Sequence, residues 1–482
     1  MIDTSALKKK IIDLAVIGKL TSSSTGDANT ELLDIISALH NEKQRQILSK
    51  EKWADIPANW TWCRLSDLTT SESLNDGDWV LKKDMVSNGE VKLIQLGSIG
   101  DCEYRNKGFK YLTKKHFEEL NGTQIFPGYL LINRLVVDKM VSCILPDIEG
   151  ILITAVDVCW VAPNEKLYSI EYLMYVLASS GVQQKVKALG HGVTRFRISK
   201  LNLIDIAFPL PPVEEQKQIV KKVKELFNCL NNIDQLQNRY QLDYASLKDK
   251  IIEAGIKGNL TEQLLEDGDA EDLFRSIQEE RITLIKEGRI KKSKASPAIV
   301  GDEIPFDIPN NWKWVRFADL YRLSNGVASR GSQGGTPHPV LRLADLTSGV
   351  IDTSDVRKIS LTDAEYESHK IQKNDLIFIR VNGSRGRVAN AYLYYEEEDI
   401  SYCDHLFCGH KISDRIEPAY IMLVFNSEMI KRQIDPLIKT TAGQNTINQG
   451  SMGKMVIPLP PQEEQKRIVA KVNELFSALP EA

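Results

Sequence analysis

The chain has 482 residues, of which 42% are hydrophobic and 26% charged, and its formal net charge is −4. This composition is typical of a globular protein, and the length suggests two to four domains. It excludes a uniformly basic nucleic-acid binder. No run reaches the ~20 apolar residues of a membrane-spanning helix, so we expect no membrane partner. Seven cysteines without a regular spacing favour a reducing compartment and therefore predict a cytoplasmic protein.

Residues 1–55 predict an N-terminal helix and a linker. Apolar residues recur at intervals of four and three from Leu7 to Leu14, which is typical of an amphipathic helix, and Gly18 would end it. The polar stretch 21–30 predicts a linker, and 31–48 predicts a short companion helix.

Residues 56–208 predict a mixed α+β domain, because short apolar runs are followed by a longer helical pattern. The predicted strands are 91–96, 129–132 and 151–161, and the predicted helix is 170–189. Lysine and arginine balance aspartate and glutamate here, so a nucleic-acid surface would require basic residues gathered on one face.

Residues 209–304 predict a long coiled-coil helix followed by a linker. Pro212 suits a first helical position, and Glu214 and Glu215 favour the positive end of the helix dipole. Apolar or small residues then alternate at intervals of four and three over about five heptads. This seam consists of Ile219, Val223, Leu226, Leu230, Ile233, Tyr240, Tyr244, Leu247, Ile251 and Ala254, and Gly255 and Gly258 would end it. A companion helix at 269–287 and a linker at 291–305 follow.

Residues 305–457 predict a second α+β domain, and 458–482 predict a C-terminal helix. The domain has predicted strands at 340–343 and 376–381 and a predicted helix at 418–438. In the last segment, Ile468, Val472 and Leu475 continue the heptad register of the central helix.

Three segments of the first half recur in the second half, at shifts between 240 and 252. They are SALKKKIIDLAVIGKLT with ASLKDKIIEAGIKGNLT, IPANWTWCRLSDL with IPNNWKWVRFADL, and PLPPVEEQKQIVKKVKELF with PLPPQEEQKRIVAKVNELF. Joined end to end, the two terminal helices would rebuild most of the central one, so the duplication is circularly permuted. The sequence predicts two similar domains separated by two long antiparallel coiled-coil helices and related by a pseudo-twofold axis. The alternative is two ordinary packing helices in separate domains.

The two PLPPxEEQKxIVxKVxELF boxes, the two IPxNWxWxR openings and the segments between them resemble the specificity subunits of type I restriction-modification systems. The resemblance covers nearly the whole chain. It implies that 56–208 and 305–457 are target recognition domains, each reading one half of a bipartite site on double-stranded DNA. Because the two segments differ at most positions, that site would be asymmetric.

The resemblance also implies partners. The helices would set the half-site spacing and hold two adenine-N6 methyltransferase (modification) subunits, onto which restriction and translocase subunits assemble. S-adenosylmethionine, ATP and Mg would then belong to the partner subunits, with no cofactor in this chain.

The sequence lacks the common motifs of nucleotide-binding and catalytic sites. It contains no GxxxxGK[ST], GxGxxG or HExxH motif. Asp435 and Pro436 are the nearest approach to an amino-methyltransferase [DN]PP[YFW] box, and Pro146 and Asp147 to a nuclease motif. We therefore predict a chain that is not an enzyme. Two alternatives remain: an assembly scaffold whose variable domains bind protein, and an enzyme with an unrecognised site.

One segment, CDHLFCGH, offers metal ligands at Cys403, His405, Cys408 and His410. In a strand, alternation would place the first two on one face and the last two on the other, which is incompatible with one tetrahedral zinc site. We therefore expect no metal site there.

Residues that could contact DNA cluster in two places in each domain. Arginine, lysine, asparagine and glutamine read base edges, and hydroxyls also bind phosphates. The first place is the end of an apolar strand, marked by Arg134 in the first domain and by Arg380, Asn382, Ser384, Arg385 and Arg387 in the second. The second is the loop before each PLPP box, with Arg195, Arg197 and Lys200 in the first domain and Gln444, Asn445 and Thr446 in the second.

A weaker candidate is the loop 324–339, with Arg330, Gln333 and His338. Its first-domain counterpart includes Asp76, Gly77, Asp78, Trp79, Lys82 and Lys83. The alternative for all these segments is a solvated hairpin or loop without a role. Trp60, Trp62, Trp312 and Trp314 are interpreted as core residues rather than as stacking platforms for bases.

Overall fold

The computed structural model describes residues 1–21, 26–39, 45–193, 195–292, 295–328, 330–331, 335–347 and 349–480. The chain forms two compact units, Met1–Asn238 and Arg239–Ala482. Each unit combines parts of the predicted helical segments with one predicted recognition domain, and the five-segment division made from the sequence stays a prediction. Within the described residues, no helix is both long and apolar enough to cross a bilayer.

Unit 1 contains a strand-rich domain and the helices that pack against it. Its helices are α1 (Thr4–Val16), α2 (Ala28–Leu39), α3 (Leu65–Leu68), α4 (Lys114–Glu119), α5 (Ile170–Ala178), α6 (Ser180–Leu189), α7 (Lys200–Ile204) and the first part of α8 (Val213–Ile256). Its strands are β1 (Thr61–Cys63), β2 (Leu74–Asp76), β3 (Val91–Ile94), β4 (Phe109–Leu112), β5 (Leu130–Asn133), β6 (Val141–Ile144), β7 (Ile151–Thr154), β8 (Val158–Val161) and β9 (Phe208–Leu210).

Unit 2 repeats this order. Its helices are the rest of α8, α9 (Ala270–Lys286), α10 (Phe317–Leu320), α11 (Asp363–Ser368), α12 (Pro418–Phe425), α13 (Glu428–Ile434), α14 (Gln449–Gly453) and α15 (Gln462–Ala478). Its strands are β10 (Lys313–Arg316), β11 (Tyr321–Asn325), β12 (Thr336–Leu341), β13 (Leu346–Thr347), β14 (Val350–Ile351), β15 (Lys358–Leu361), β16 (Leu376–Ile379), β17 (Val381–Asn382), β18 (Ala391–Leu393), β19 (Ser401–Tyr402), β20 (Leu406–Lys411), β21 (Lys439–Thr441), β22 (Gln444–Thr446) and β23 (Val456–Leu459).

Three sheets have the same topology in both units, and unit 2 adds the small sheets β13-β14 and β17-β22-β21. Unit 1 has an antiparallel sheet in the order β2-β8-β5-β6, and unit 2 has its equivalent in β11-β20-β16-β18. A three-stranded sheet, β4-β3-β7 or β15-β12-β19, contains one parallel pair in each unit. The strand of each PLPP box pairs with the strand of the repeated tryptophan motif, β1 with β9 and β10 with β23. This correspondence confirms the prediction of two similar α+β domains.

Local polar contacts break elements that the sequence predicted as continuous. The predicted strand 151–161 is two strands, β7 and β8. The predicted helix 170–189 is interrupted at Ser179, whose backbone is extended and whose hydroxyl donates to the Val176 carbonyl. The predicted helix 418–438 is interrupted at Asn426, whose side-chain amide bonds both backbone groups of Ala391 in β18. Ser179 thus bonds a carbonyl of its own helix, whereas Asn426 joins the helix end to β18.

In unit 1, α1 runs antiparallel to the first part of α8. The Ile2 amide donates to Gln237 Oε1 at 2.6 Å, and Lys8 Nζ lies 3.3 Å from Asp234 Oδ2. Ile219 and Val223 of the predicted seam are fully buried, as is Ala15 of α1.

In unit 2, α15 runs antiparallel to the second part of α8. Tyr240 donates its hydroxyl to the Pro480 carbonyl at 3.3 Å, and the Lys248 ammonium lies 5.0 Å from the centre of the Phe476 ring. Helix α8 ends at Ile256, between the two glycines predicted to end it, and Gly258 has a φ of +76°. A Cβ on Gly255 would approach Ile468 to 3.0 Å. The predicted pairing of terminal helices with the central one is therefore confirmed within each unit.

Three leucines in the middle of α8 are exposed, of which Leu247 belongs to the predicted seam and Leu236 and Leu242 lie outside it. In unit 1, Leu236 is 66% exposed. In unit 2, Leu242 is 72% and Leu247 is 44% exposed. These leucine side chains face solvent in the described part of the chain.

Each PLPP box is fixed by a buried glutamine and a buried tyrosine. In unit 1, Gln216 accepts from the Ser169 amide at 2.8 Å and donates to the Pro211 carbonyl at 2.9 Å. Tyr172 donates to the Pro209 carbonyl at 2.9 Å. In unit 2, Gln465 bonds Glu417 and Pro460 in the same way, and Tyr420 bonds Pro458. The glutamine of the repeated EEQ is therefore structural in both units.

A buried arginine is also repeated. Arg64 and Arg316 are 1% and 3% exposed, and their guanidinium groups pair with Glu51 and Glu303 at 2.8 and 2.7 Å. The interpretation of the tryptophans as core residues agrees with their burial: Trp60, Trp62 and Trp312 are buried and Trp314 is half-buried.

We predict that Gln216→Leu destabilises the chain, since the half-buried Ser169 amide and the buried Pro211 carbonyl would lose their partners. Each stranded group costs about 1–3 kcal/mol. Urea unfolding of the full chain measures the change. The control is Gln218→Leu, an exposed glutamine on the same helix, which should leave the unfolding midpoint nearly unchanged. Equal effects of the two variants would contradict the assigned role.

We also predict an acid-dependent contribution from Glu303. Hydrogen bonds from Arg316 and from the Val300 amide hold the pKa of Glu303 at about 2, below its ordinary value of 4.5. A lowered pKa stabilises the folded state above pH ~4.5, and this contribution is lost as the pH falls toward 2. The unfolding midpoint should therefore fall less steeply between pH 5 and 3 in Glu303→Gln than in the unmodified chain. The same slope in both would contradict the prediction.

Candidate nucleic-acid interface

In unit 1 the end of β5 and the loop before β9 lie side by side. Leu135 pairs with Arg197 in an antiparallel bridge, and the Val136 amide donates to the Phe196 carbonyl at 2.9 Å. The Ile198 amide also donates to the Arg134 carbonyl at 3.1 Å. The two segments that the sequence singled out separately thus form one continuous surface.

The loop of unit 1 is a narrow hairpin, closed by backbone bonds in both directions between His191 and Arg197. Gly192 has a φ of +111°, and a Cβ there would lie 2.3 Å from the Arg195 carbonyl oxygen, so only glycine fits. Val193 and Arg195 are exposed at the tip. Thr194 lies outside the described residues.

Arg197 and Lys200 differ in the exposure of their side chains and in their existing contacts. The Arg197 side chain is 52% exposed, with Nη1 3.7 Å from Asp157 Oδ1. Lys200 is half-buried and donates to Asn75 Oδ1 at 2.8 Å. Burial raises the pKa of the neighbouring Asp76, while Arg134 and Lys200 act to lower it. Arg197 is thus available to a ligand, and Lys200 would first have to leave Asn75.

Arg134 does not lie at the surface, in contrast to the sequence-based interpretation. It is 8% exposed, and its Nη1 and Nη2 donate to the carbonyls of Ile198 at 3.1 Å and Val156 at 2.6 Å. Its Nε lies 3.0 Å from Asp76 Oδ1. The guanidinium therefore ties β5 to the hairpin, and a direct base contact would require these bonds to break.

Unit 2 brings together the equivalent segments. Strand β17 pairs with β22 through Val381 with Thr446 and Asn382 with Asn445, and β22 continues into a hairpin with β21. The Ile447 amide donates to the Arg380 carbonyl at 3.1 Å, as Ile198 does to Arg134 in unit 1.

Two of the predicted residues in unit 2 hold this surface together from inside. Arg380 is half-buried and donates to the Asp404 carbonyl at 2.9 Å. Asn445 is 7% exposed, donates to the Gly383 carbonyl at 2.9 Å and accepts from the Thr440 hydroxyl at 2.8 Å. Both side chains are engaged in the fold.

The other predicted residues of unit 2 lie nearer to solvent. Ser384, Arg385 and Gln444 are exposed, and Asn382, Arg387 and Thr446 are half-buried. Arg385 Nε donates to Asp435 Oδ1 at 2.5 Å, and this contact lowers the pKa of Asp435. Arg387 donates to the Leu346 carbonyl at 2.9 Å, and Asn382 accepts from the Ser384 amide at 2.8 Å.

The third candidate loop is only partly described, because Gln333 lies outside the described residues. Arg330 is exposed, whereas the His338 ring stacks on Tyr366 at a centroid distance of 4.0 Å. In the counterpart loop, Trp79 is 68% exposed. Gly77 packs so closely that a Cβ would lie 2.4 Å from the Thr154 carbonyl oxygen.

The four metal ligands of the CDHLFCGH segment do not come together. Within the described residues, Cys408 and His410 group with Asp375, and Cys403 and His405 group with Asp404.

A family model for the type I restriction modification DNA specificity domain matches this chain twice, at residues 57–241 and 309–481. Together the two matches span well over half of the chain, and each begins at a repeated IPxNW motif. The chain belongs to this family.

Named specificity subunits are similar to the chain. It is 26% identical over 324 residues to the EcoKI specificity subunit of Escherichia coli (strain K12), across 66% of this chain and 61% of that protein. It is 23% identical to the EcoAI specificity subunit of Escherichia coli over 541 aligned residues, across 98% of this chain and 88% of that protein. The StySPI specificity subunit of Salmonella potsdam is 26% identical over 324 residues, across 66% and 61%. The match thus spans under two thirds of the EcoKI and StySPI relatives.

One solved structure, which concerns complex assembly and conformational transition of the type I R-M system, contains a chain of similar fold. Its TM-score is 0.58 at 17% identity, covering 88% of this chain and 92% of that chain. At this identity the likeness shows the shared fold.

One exposed residue of this specificity chain escaped the sequence reasoning. Lys439 begins β21 and pairs with Thr446 across the hairpin. The signal was present, since KTT and QNT flank Ala442 and Gly443, which both adopt positive φ in the turn. A short polar hairpin around such a turn is recognisable once it is sought.

We predict unequal stability effects for two neighbouring amides. Asn445→Ala should destabilise unit 2 by about 0.5–1.5 kcal/mol, the net worth of one hydrogen bond, because the buried Asn445 side chain no longer bonds the Gly383 carbonyl and the Thr440 hydroxyl. Gln444→Ala, at the exposed neighbouring position, should leave stability within about 0.5 kcal/mol. Denaturant unfolding of the full chain tests both, and a larger loss in Gln444→Ala than in Asn445→Ala would refute the assignment.

Proposed function

We propose that the chain is the DNA-recognition subunit of a type I restriction-modification complex, without catalysis of its own, and that it reads an asymmetric bipartite site. The observation that carries the proposal is the repetition of one surface in two forms. Each unit joins a strand end to the hairpin before its PLPP box, on the same backbone bonds, while the exposed side chains differ.

The chemistry of the exposed side chains supports different half-sites. Unit 1 exposes Arg195 and Arg197, and arginine is suited to bidentate recognition of guanine O6 and N7. Unit 2 exposes Gln444 beside Ser384 and Arg385, and glutamine is suited to adenine N6 and N7. Two recognition surfaces with the same fold but different exposed side chains would select two different short DNA sequences.

The less exposed residues take a positioning role in this proposal. Arg134 and Asn445 fix the backbone beneath each hairpin. Lys200, Arg380, Asn382, Arg387 and Thr446 lie half-buried at the edge of the same surfaces. They would hold the exposed tips in register with the groove, and any direct contact from them would follow a local rearrangement.

The helices are proposed to hold the other subunits. The exposed apolar side chains of α8, Leu236 in unit 1 and Leu242 and Leu247 in unit 2, offer surface to partner chains. Two methyltransferase subunits would bind here, and restriction and translocase subunits would join them. S-adenosylmethionine, ATP and Mg would be bound by those partners. The free state of all seven cysteines supports a cytoplasmic location.

Selection from a random duplex library tests the proposal, using the purified chain alone and with its methyltransferase partner. Enrichment of a split motif is the expected result. Enrichment of no sequence, together with assembly of the subunits, would instead favour a scaffold whose variable domains bind protein. Cleavage or methyl transfer by the lone chain would favour an enzyme.

We predict that Arg195→Ala relaxes one half of the motif and Arg385→Ala the other half. Loss of a bidentate base contact costs about 1–3 kcal/mol at the affected positions. Library selection on each variant measures the change, and each variant serves as the control for the other. Lys115→Ala, which removes an 87% exposed lysine from α4, controls for loss of charge. Weakening of both halves alike by either arginine variant would contradict the assignment.

A further inference from the structure

Three potential metal ligands converge in unit 2. Asp375 immediately precedes β16, and Cys408 and His410 lie two residues apart on the adjacent strand β20. Each offers one ligand atom, and the three atoms all lie within 4.8 Å of one another. His410 Nδ1 is 2.9 Å from Asp375 Oδ2, and Cys408 Sγ is 3.4 Å from the same oxygen.

Unit 1 has no such ligands at the equivalent strand positions, which allows a direct comparison of the two units. Leu376 pairs with Gly409 as Leu130 pairs with Val161, so the strand registers of the two units correspond. By this register Asp375, Cys408 and His410 correspond to Tyr129, Trp160 and Ala162. In unit 1 the Tyr129 and Trp160 rings pack with centroids 5.6 Å apart. The frame therefore accepts apolar packing here, and polar side chains are not required for folding.

Burial makes the three polar groups of unit 2 costly unless something compensates them. Asp375 is 4% exposed and Cys408 is fully buried, while the His410 side chain is 20% exposed. A buried carboxylate is stable only when it is paired, hydrogen-bonded or bound to a metal.

We propose that Asp375, Cys408 and His410 bind one Zn²⁺ ion. A thiolate, an imidazole and a carboxylate form a ligand set that zinc prefers. Ligand atoms around a tetrahedral zinc lie roughly 3.3–3.6 Å apart, given its bond lengths to nitrogen, oxygen and sulfur. The distances of 2.9 and 3.4 Å to Asp375 are close to this spacing, and the Cys408 and His410 ligand atoms lie within 4.8 Å of each other. The Cys408 thiol proton leaves to solvent as the thiolate coordinates.

The surroundings orient the proposed ligands. His410 Nε2 lies 3.3 Å from Ser324 Oγ, which is 2.6 Å from the Tyr402 hydroxyl. When Nε2 carries the proton and donates to Ser324, Nδ1 is free to coordinate the metal. Asp375 Oδ2 also accepts from the Gln372 amide at 2.8 Å, which fixes the carboxylate.

The site has access to solvent. Asp375 and His410 line a cavity of about 690 Å³, together with residues of α9 such as Glu280 and with the segment 411–415. An ion can enter from this side, and a water molecule from the cavity would complete four-coordination. Three protein ligands with one open position are a common arrangement for zinc.

The full chain, stripped with a chelator and titrated with Co²⁺ in the absence of DNA, tests the proposal. We expect a thiolate-to-cobalt charge-transfer band that saturates at one equivalent and disappears when Zn²⁺ is added. Cys408→Ser should abolish the band and weaken Zn²⁺ binding at least 10-fold. Ser324→Ala should weaken it about 10- to 100-fold, as loss of the bond that orients a ligand does.

The neighbouring group of Cys403, Asp404 and His405 provides the matched control. Cys403→Ser should keep the band. Absence of a thiolate band in the unmodified chain, its survival in Cys408→Ser or its loss in Cys403→Ser would each overturn the proposal. Circular dichroism monitors folding. If Cys408→Ser does not fold, His410→Gln decides, since loss or a strong weakening of the band supports the site and an unchanged Co²⁺ titration refutes it. These measurements do not depend on DNA recognition.

Discussion

The carbonyl groups of the PLPP boxes constrain each unit. Proline has no amide proton, so a strand rich in proline pairs incompletely with its neighbour, yet its buried carbonyls still require donors. Gln216 and Tyr172 supply these donors in unit 1, and Gln465 and Tyr420 supply them in unit 2. Each glutamine also accepts from the first turn of the α5 or α12 region. One side chain thus joins the long helix, the proline strand and a domain helix.

This requirement for donors explains why the PLPP boxes and the residues that bond them are repeated so closely in the two units. A substitution at a buried glutamine leaves two backbone groups without their partner, and one at a buried tyrosine leaves one, whereas the side chains at a hairpin tip face solvent. Arg195 and Gln444 occupy equivalent exposed tips and differ completely, while the bonds Ile198 to Arg134 and Ile447 to Arg380 beneath them are the same. Stability depends on these buried hydrogen-bonded residues, and the exposed residues of the hairpins can vary without affecting it.

The sequence predicted the repeat, the permuted helices and the two α+β domains, because these depend on periodicity and on local signals. It also located the two surface segments of each unit, since glycine and polar clusters mark hairpins. It did not predict that Arg134 and Asn445 are buried, because their partners Val156, Ile198 and Gly383 become neighbours only through the fold. For the same reason Asp375 was missed as a companion of Cys408 and His410, which are separated from it by more than thirty residues. The helix breaks at Ser179 and Asn426 likewise depend on tertiary hydrogen bonds.

The uncovered apolar side chains in the middle of α8 have a consequence for how such a protein must be made. Leucines that face water on an otherwise polar helix favour self-association whenever no other subunit occupies them. Under the proposed function, partner subunits would cover these leucines, and a cell that made the chain in excess over those subunits would favour its self-association. Balanced synthesis of the proposed subunits would then serve solubility as well as stoichiometry.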